Sequence, residues 1–217
     1  MPKWIKFILA LLLLPACAAL GRTVGRVLLS AGAVDAICLP LLAGMACWFV
    51  IFLLLPQPMW LYVFGHEFTH ALWTWLFGGQ VKQMKVSSGG GHVVVSKNNF
   101  LIVLAPYFFP FYAALVVAVF GLGGLFWNWH PYLVWFHLAL GAAYAFHITL
   151  TWQVLHTRQS DITSQGWLFS GVVIFLGNAG LLLVAVPLIA GQPALGRALG
   201  WFGSDFLHLL AWLRHGL

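Results

Sequence analysis

Long apolar runs alternate with short polar stretches along this chain, and most of the runs have membrane length, since a spanning helix needs roughly 20 apolar residues. Residues 7–20 form the first run, behind Lys3 and Lys6. They read as a retained span; the alternative is a removed signal core, with Pro15 making residues 14–17 a poor cleavage site. Residues 21–36 carry Arg22, Arg26 and Asp35 and read as an interfacial connection. Residues 37–55 span again and are closed by Pro56 and Pro58, and residues 59–77 form the next helix, stopped by Gly78-Gly79. The longest polar stretch follows, at 80–99. Within it Val86 and Val93-Val94-Val95 flank Ser87-Ser88-Gly89-Gly90-Gly91, the pattern of a β-hairpin with a glycine turn. Residues 100–120 form a span broken near Pro106 and Pro110, 132–155 another, and 167–190 a last one after the polar stretch 156–165. Residues 194–214 read as a helix lying at the interface.

The expected fold class is therefore an all-α polytopic membrane protein with about five or six transmembrane helices and a small β-hairpin. It forms one integral membrane domain over 1–217. An N-terminal hydrophobic segment and its connection occupy 1–36, the catalytic core 59–190, and a C-terminal interfacial helix 191–217. No stretch is long or polar enough for an inserted PDZ-like domain.

Composition agrees. Of 217 residues, 62% are hydrophobic and 6% charged, against about 25% charged in a soluble domain. Soluble enzymes, disordered regulators and DNA-binding modules are excluded. The net charge of +6 implies no nucleic-acid partner, because Lys and Arg of membrane chains collect in cytoplasmic loops. Cys17, Cys38 and Cys47 are odd in number and sit in apolar runs, so they read as core residues. If the spans alternate, the stretches 78–98 and 156–166 share a side and hold Lys82, Lys85, Lys97 and Arg158. That side is expected to be cytoplasmic, in a bacterial inner membrane, although Arg197 and Arg214 fall opposite.

Four acids remain to be explained: Glu67, Asp35, Asp161 and Asp205. An ionisable group in hydrocarbon costs several kcal/mol unless it is paired or functional. Glu67, the single glutamate, lies in His66-Glu67-Phe68-Thr69-His70, an HExxH pattern. Residues four apart share a helix face, so both imidazoles reach one metal ion. Glu67 projects beside them as a base for the attacking water. Zinc suits this donor set. The plainer reading is two histidines bonded to neighbouring helices, with the glutamate paired to one of them.

Two histidines leave zinc short of a protein ligand. Asp161 is the preferred third, because its polar neighbours allow the chain there to enter a water-filled cavity; capping of the following span is its bland role. His147, inside a span, is the alternative ligand. Asp35 reads as a solvated cap and Asp205 as a water-facing residue. His92, Asn98, Asn99 and Asn178 are possible helpers for charge on a tetrahedral oxygen, with hairpin surface or helix packing as their ordinary roles.

These features together resemble the site-2 protease family of intramembrane zinc metalloproteases. The likeness runs from residue 59 to about 185: HExxH in a membrane helix, a glycine-containing hairpin, a span with Ala105-Pro106, and an aspartate before a later span. It implies that His66, His70 and Asp161 bind zinc and that Glu67 is the general base. Departures point to a divergent branch. Ser160 and Ile162 flank Asp161 where the family has Leu and Gly, and Ala105-Pro106-Tyr107-Phe108-Phe109 replaces Gly-Pro-x-x-Asn.

The expected substrate is a transmembrane protein in the lipid bilayer, unwound locally before attack. Gly90, Gly91, Val93 and Val94 are candidates to receive it as an added strand. Competing functions are a haem-binding or metal-transport protein, for which His130, His137, His147 and His156 offer ligands, and an inactive scaffold that binds membrane helices.

Overall fold

The structure, a computed structural model, describes residues 1–32 and 35–215. The elements in order are α1 (Lys3–Ala31), α2 (Asp35–Leu54), α3 (Met59–Leu76), β1 (Val81–Ser87), β2 (Gly90–Val95), α4 (Phe100–Phe108), α5 (Phe111–Gly124), a 3-10 turn (His130–Tyr132), α6 (Leu133–Leu155), α7 (Ser160–Gln165), α8 (Trp167–Ala190) and α9 (Leu195–His215). Helices α1, α2, α6 and α8 are long and apolar enough to cross a membrane, as is the bent pair α4–α5 when taken as one span. This is an all-α polytopic architecture with one hairpin, as the hydropathy pattern predicts. Helix α3 is not among the candidate spans; His66, Glu67, Thr69, His70 and Thr74 dilute its apolar residues. Large side chains such as Leu29, Leu53, Leu125 and Trp152 stand exposed, which suits lipid and not water.

The chain divides into two compact units. The first comprises Met1–Asp35 and Ser160–Leu217. Residues 21–31, expected as a separate connection, instead continue α1 as helix. The reason lies on α9. Asp205 takes Arg26 Nη1 at 3.3 Å and Arg22 Nε at 3.5 Å, and accepts from the Thr23 hydroxyl at 2.9 Å. The Arg26 guanidinium also lies 4.4 Å from the Trp201 ring centroid. Beneath these groups Leu20, Val24 and Val27 pack on Ala179, Leu183 and Ala198. Asp205 is thus buried in an ion-pair cluster, not facing water as expected.

The second unit is Ala36–Gln159. Trp48, Tyr62, Ala145, Phe146 and Leu150 form its core, and the Trp48 indole donates to the Thr149 hydroxyl at 2.8 Å. Helices α2 and α6 approach through glycines: a Cβ on Gly44 would strike the Leu138 carbonyl, and one on Gly141 the Leu41 carbonyl. The span expected to break near Pro106 and Pro110 does so, with α4 and α5 meeting at 77°. Proline has no N–H to continue the helical ladder, so the chain turns there. Asn99 caps α4 by accepting from the Ile102 N–H at 2.9 Å.

Candidate metal centre

Helix α3 ends where the sequence places its stop. Gly78 adopts φ +67°, and the Gly79 N–H closes on the Thr74 carbonyl at 2.8 Å, a left-handed glycine cap. The strands follow directly. Ser87 pairs with Gly90, Val86 with Gly91, Lys85 with His92, Met84 with Val93 and Gln83 with Val94. Gly90 takes φ +137° at the turn, a value that excludes a β-branched residue.

His66 and His70 project side by side from α3, with ring centroids 5.0 Å apart. The His66 ring stands edge-on to Tyr107, centroid to centroid 5.3 Å. His70 is buried, and its Nδ1 lies 2.8 Å from the Ile102 carbonyl oxygen of α4. A carbonyl can only accept, so Nδ1 carries the proton and Nε2 keeps its lone pair for a metal. An outer hydrogen bond of this kind is the usual support of a ligating histidine. Two neighbouring imidazoles, one with its tautomer set by the backbone, fit a zinc ion.

Two different environments flank this pair. On one side lies the hairpin. Glu67 is 7% exposed, and a Cβ on Gly91 would stand 2.7 Å from its Cγ, 2.8 Å from the Lys85 carbonyl oxygen and 2.9 Å from Val63 Cγ1. Strand β2 therefore passes directly over the acid, and only glycine fits there. On the other side is a cavity of about 20 Å³, lined in part by Tyr62, His66, Thr69, Tyr112 and His147, large enough for about one water. The Tyr112 phenol donates to the Leu61 carbonyl at 2.6 Å, and its ring occupies the space a Cβ on Gly65 would need. The Thr69 hydroxyl turns back to the Gly65 carbonyl at 2.7 Å. No sequence signal marks the Ile102 carbonyl or these tyrosines, because their roles depend on which backbone lies opposite α3.

The remaining candidates are placed as follows. Val93 is half-buried and Val94 exposed on β2. Asp161 is half-buried in the first turn of α7, in the other unit. It does not cap α8, whose N-cap is Gly166. The side chain of Asp35 lies outside the described residues. Asn99 is committed to its cap, Asn178 donates to the Ile174 carbonyl of its own helix at 2.9 Å, and His92 and Asn98 are exposed.

The class so defined is an apolar helical membrane protein whose motif helix carries paired imidazoles that fit a metal ion and a buried carboxylate beside them. The family comparison refines that class: residues 36–211 match the family described as Peptidase M50B-like. The chain belongs to this family, the site-2 protease family of metallopeptidases. No curated protein and no solved structure matches the chain.

Proposed function

We propose that this protein is an intramembrane zinc metalloprotease that hydrolyses peptide bonds of membrane-embedded or membrane-proximal protein substrates. The observation that carries the reading is the side-by-side pair His66 and His70 beside buried Glu67, with His70 oriented through Ile102. His66, His70 and Asp161 hold the metal; His147, on the cavity wall beside His66, is the alternative third ligand. Zinc, when bound, supplies a Lewis acid that polarises the scissile carbonyl and activates water near neutral pH. Glu67 accepts the proton of the attacking water and delivers it to the leaving amine. Its burial beneath β2 keeps the carboxylate from bulk water.

The substrate enters as an unwound segment added to the hairpin through Gly90, Gly91, Val93 and Val94. What supports this is the passage of β2 over Glu67, which brings a strand edge and the base together. The hairpin side faces the cytoplasm, on the basic residues of 78–98 and 156–166.

The test joins metal analysis to cleavage. Purified wild type is expected to hold one zinc per chain, and His66→Ala and Asp161→Ala to lose it, with His147→Ala retaining it. Glu67→Gln keeps the metal, and cleavage of co-expressed single-span membrane proteins falls by about 10²–10⁴-fold, the usual contribution of a general base. Wild type without zinc, or Glu67→Gln with undiminished function, sinks the protease reading; the second result favours metal transport.

A further inference from the structure

Lys6 is buried, 9% exposed, on an apolar helix. Its ammonium donates to Gln165 Oε1 at 2.5 Å and lies 5.9 Å from the Phe169 ring centroid. Lys3, one turn earlier, is exposed. A lysine that only orients a helix in the membrane would carry its charge into water on its flexible stem. A buried ammonium instead requires partners, and the partner here is specific.

Gln165 is the last residue of α7, and Asp161 stands in that helix's first turn. Six residues are too few for a helix to hold by itself, so α7 depends on what grips it. One grip comes from α8: the Ser170 hydroxyl donates to the Ile162 carbonyl at 3.2 Å, and Ile162 is 3% exposed. The other is Lys6. Positions 161 and 165 are four apart and share a face. Fixing the Gln165 side chain therefore fixes the rotation of the face that presents Asp161.

We propose that Lys6 is a positioning residue for the third metal ligand. Helix α1 lies ahead of the residues matched by the family model, and it holds α7 through the Lys6–Gln165 bond at the rotation that Asp161 needs. This rests on the reading of Asp161 as a ligand.

The experiment measures zinc affinity of the full-length protein in detergent by competition with a chromophoric chelator, so no substrate is required. Lys6→Met is expected to weaken zinc by about tenfold, the lower end of what loss of an outer-shell support costs. Lys6→Arg, which can still donate to Gln165, restores the affinity. Gln165→Leu reproduces the loss and keeps the test open if Lys6→Met folds poorly, and the double variant adds nothing further. Lys3→Met removes the same charge and leaves affinity unchanged. Wild-type affinity in Lys6→Met and Gln165→Leu, with Asp161→Ala weakened more than about 100-fold, overturns the inference and spares the ligand assignment. Wild-type affinity in Asp161→Ala overturns the assignment itself. Equal losses in Lys3→Met and Lys6→Met overturn positioning in favour of bulk charge.

Discussion

Gly91 shows most directly how a single residue sets the site. Glu67, a valine of the same helix and a strand carbonyl all converge on the space where a side chain at position 91 would be. Gly91→Ala forces an overpacked methyl into that junction, at a cost of about 1–3 kcal/mol, and moves either β2 or Glu67. The expected result is a lower thermal midpoint in detergent together with loss of cleavage. Gly89→Ala is the control, since a Cβ there meets nothing within 4 Å. A Gly91→Ala protein indistinguishable from Gly89→Ala would remove the hairpin from the site. At this scale the sequence was legible where two side chains share a helix face: His66 and His70 stand side by side as their spacing implies. It was silent where the partner is backbone. The Ile102 carbonyl that orients His70 has no residue-type signature, and Gly91 read as turn composition, because only the approach of α3 shows that a methyl is forbidden.

The elements followed hydropathy where apolar runs are unbroken and failed where polar residues are satisfied inside. The α4–α5 break was visible because proline removes a backbone donor whatever surrounds it. The end of α1 was not, because Arg22 and Arg26 look like a loop until Asp205 on α9 is known. That cluster yields a stability prediction. In Asp205→Ala, the Thr23 hydroxyl, fully buried, loses one of its two acceptors and keeps the Ala19 carbonyl at 3.0 Å. The arginine side chains are 73% and 41% exposed and can rehydrate. The loss is therefore that of hydrogen bonds to a charged group, about 1.5–3 kcal/mol, and not the larger penalty of a stranded buried charge. Thermal unfolding in detergent should show this drop, and adding Arg26→Ala to Asp205→Ala should cost less than Arg26→Ala alone. Strictly additive losses would mean that the carboxylate and guanidinium are not coupled.

Across the whole molecule, composition already declared a membrane protein, but it could not give the direction of its helices. Helices α1 and α8 run the same way. Lys6 meets Gln165 and Phe169, Gly21 meets Phe175, and Leu20, Val24 and Val27 pack with Ala179 and Leu183, so both numberings ascend together. Two parallel spans require an odd number of crossings between the end of the first and the start of the second. Helix α2, the bent pair α4–α5 and helix α6 supply three. Helix α3, which lacks the hydropathy of a span, would make four and break the parity. The prediction is a five-crossing chain in which the N-terminus, the hairpin and residues 156–166 share one face. That face then holds Lys3, Lys6, Lys82, Lys85, Lys97 and Arg158, against Arg22, Arg26, Arg197 and Arg214 opposite, the bias expected of a cytoplasmic side. The separation is consistent: the 20 residues from Lys6 to Arg26 extend about 30 Å along a helix, the thickness of the hydrocarbon layer. Single cysteines at positions 3, 88, 126 and 157, in a chain with Cys17, Cys38 and Cys47 replaced by alanine, decide the matter with a membrane-impermeant maleimide. Positions 3, 88 and 157 should be labelled from the cytoplasmic face and position 126 from the other. Labelling of positions 3 and 88 from opposite faces would make α3 a full crossing and would break the parallel pairing of α1 and α8.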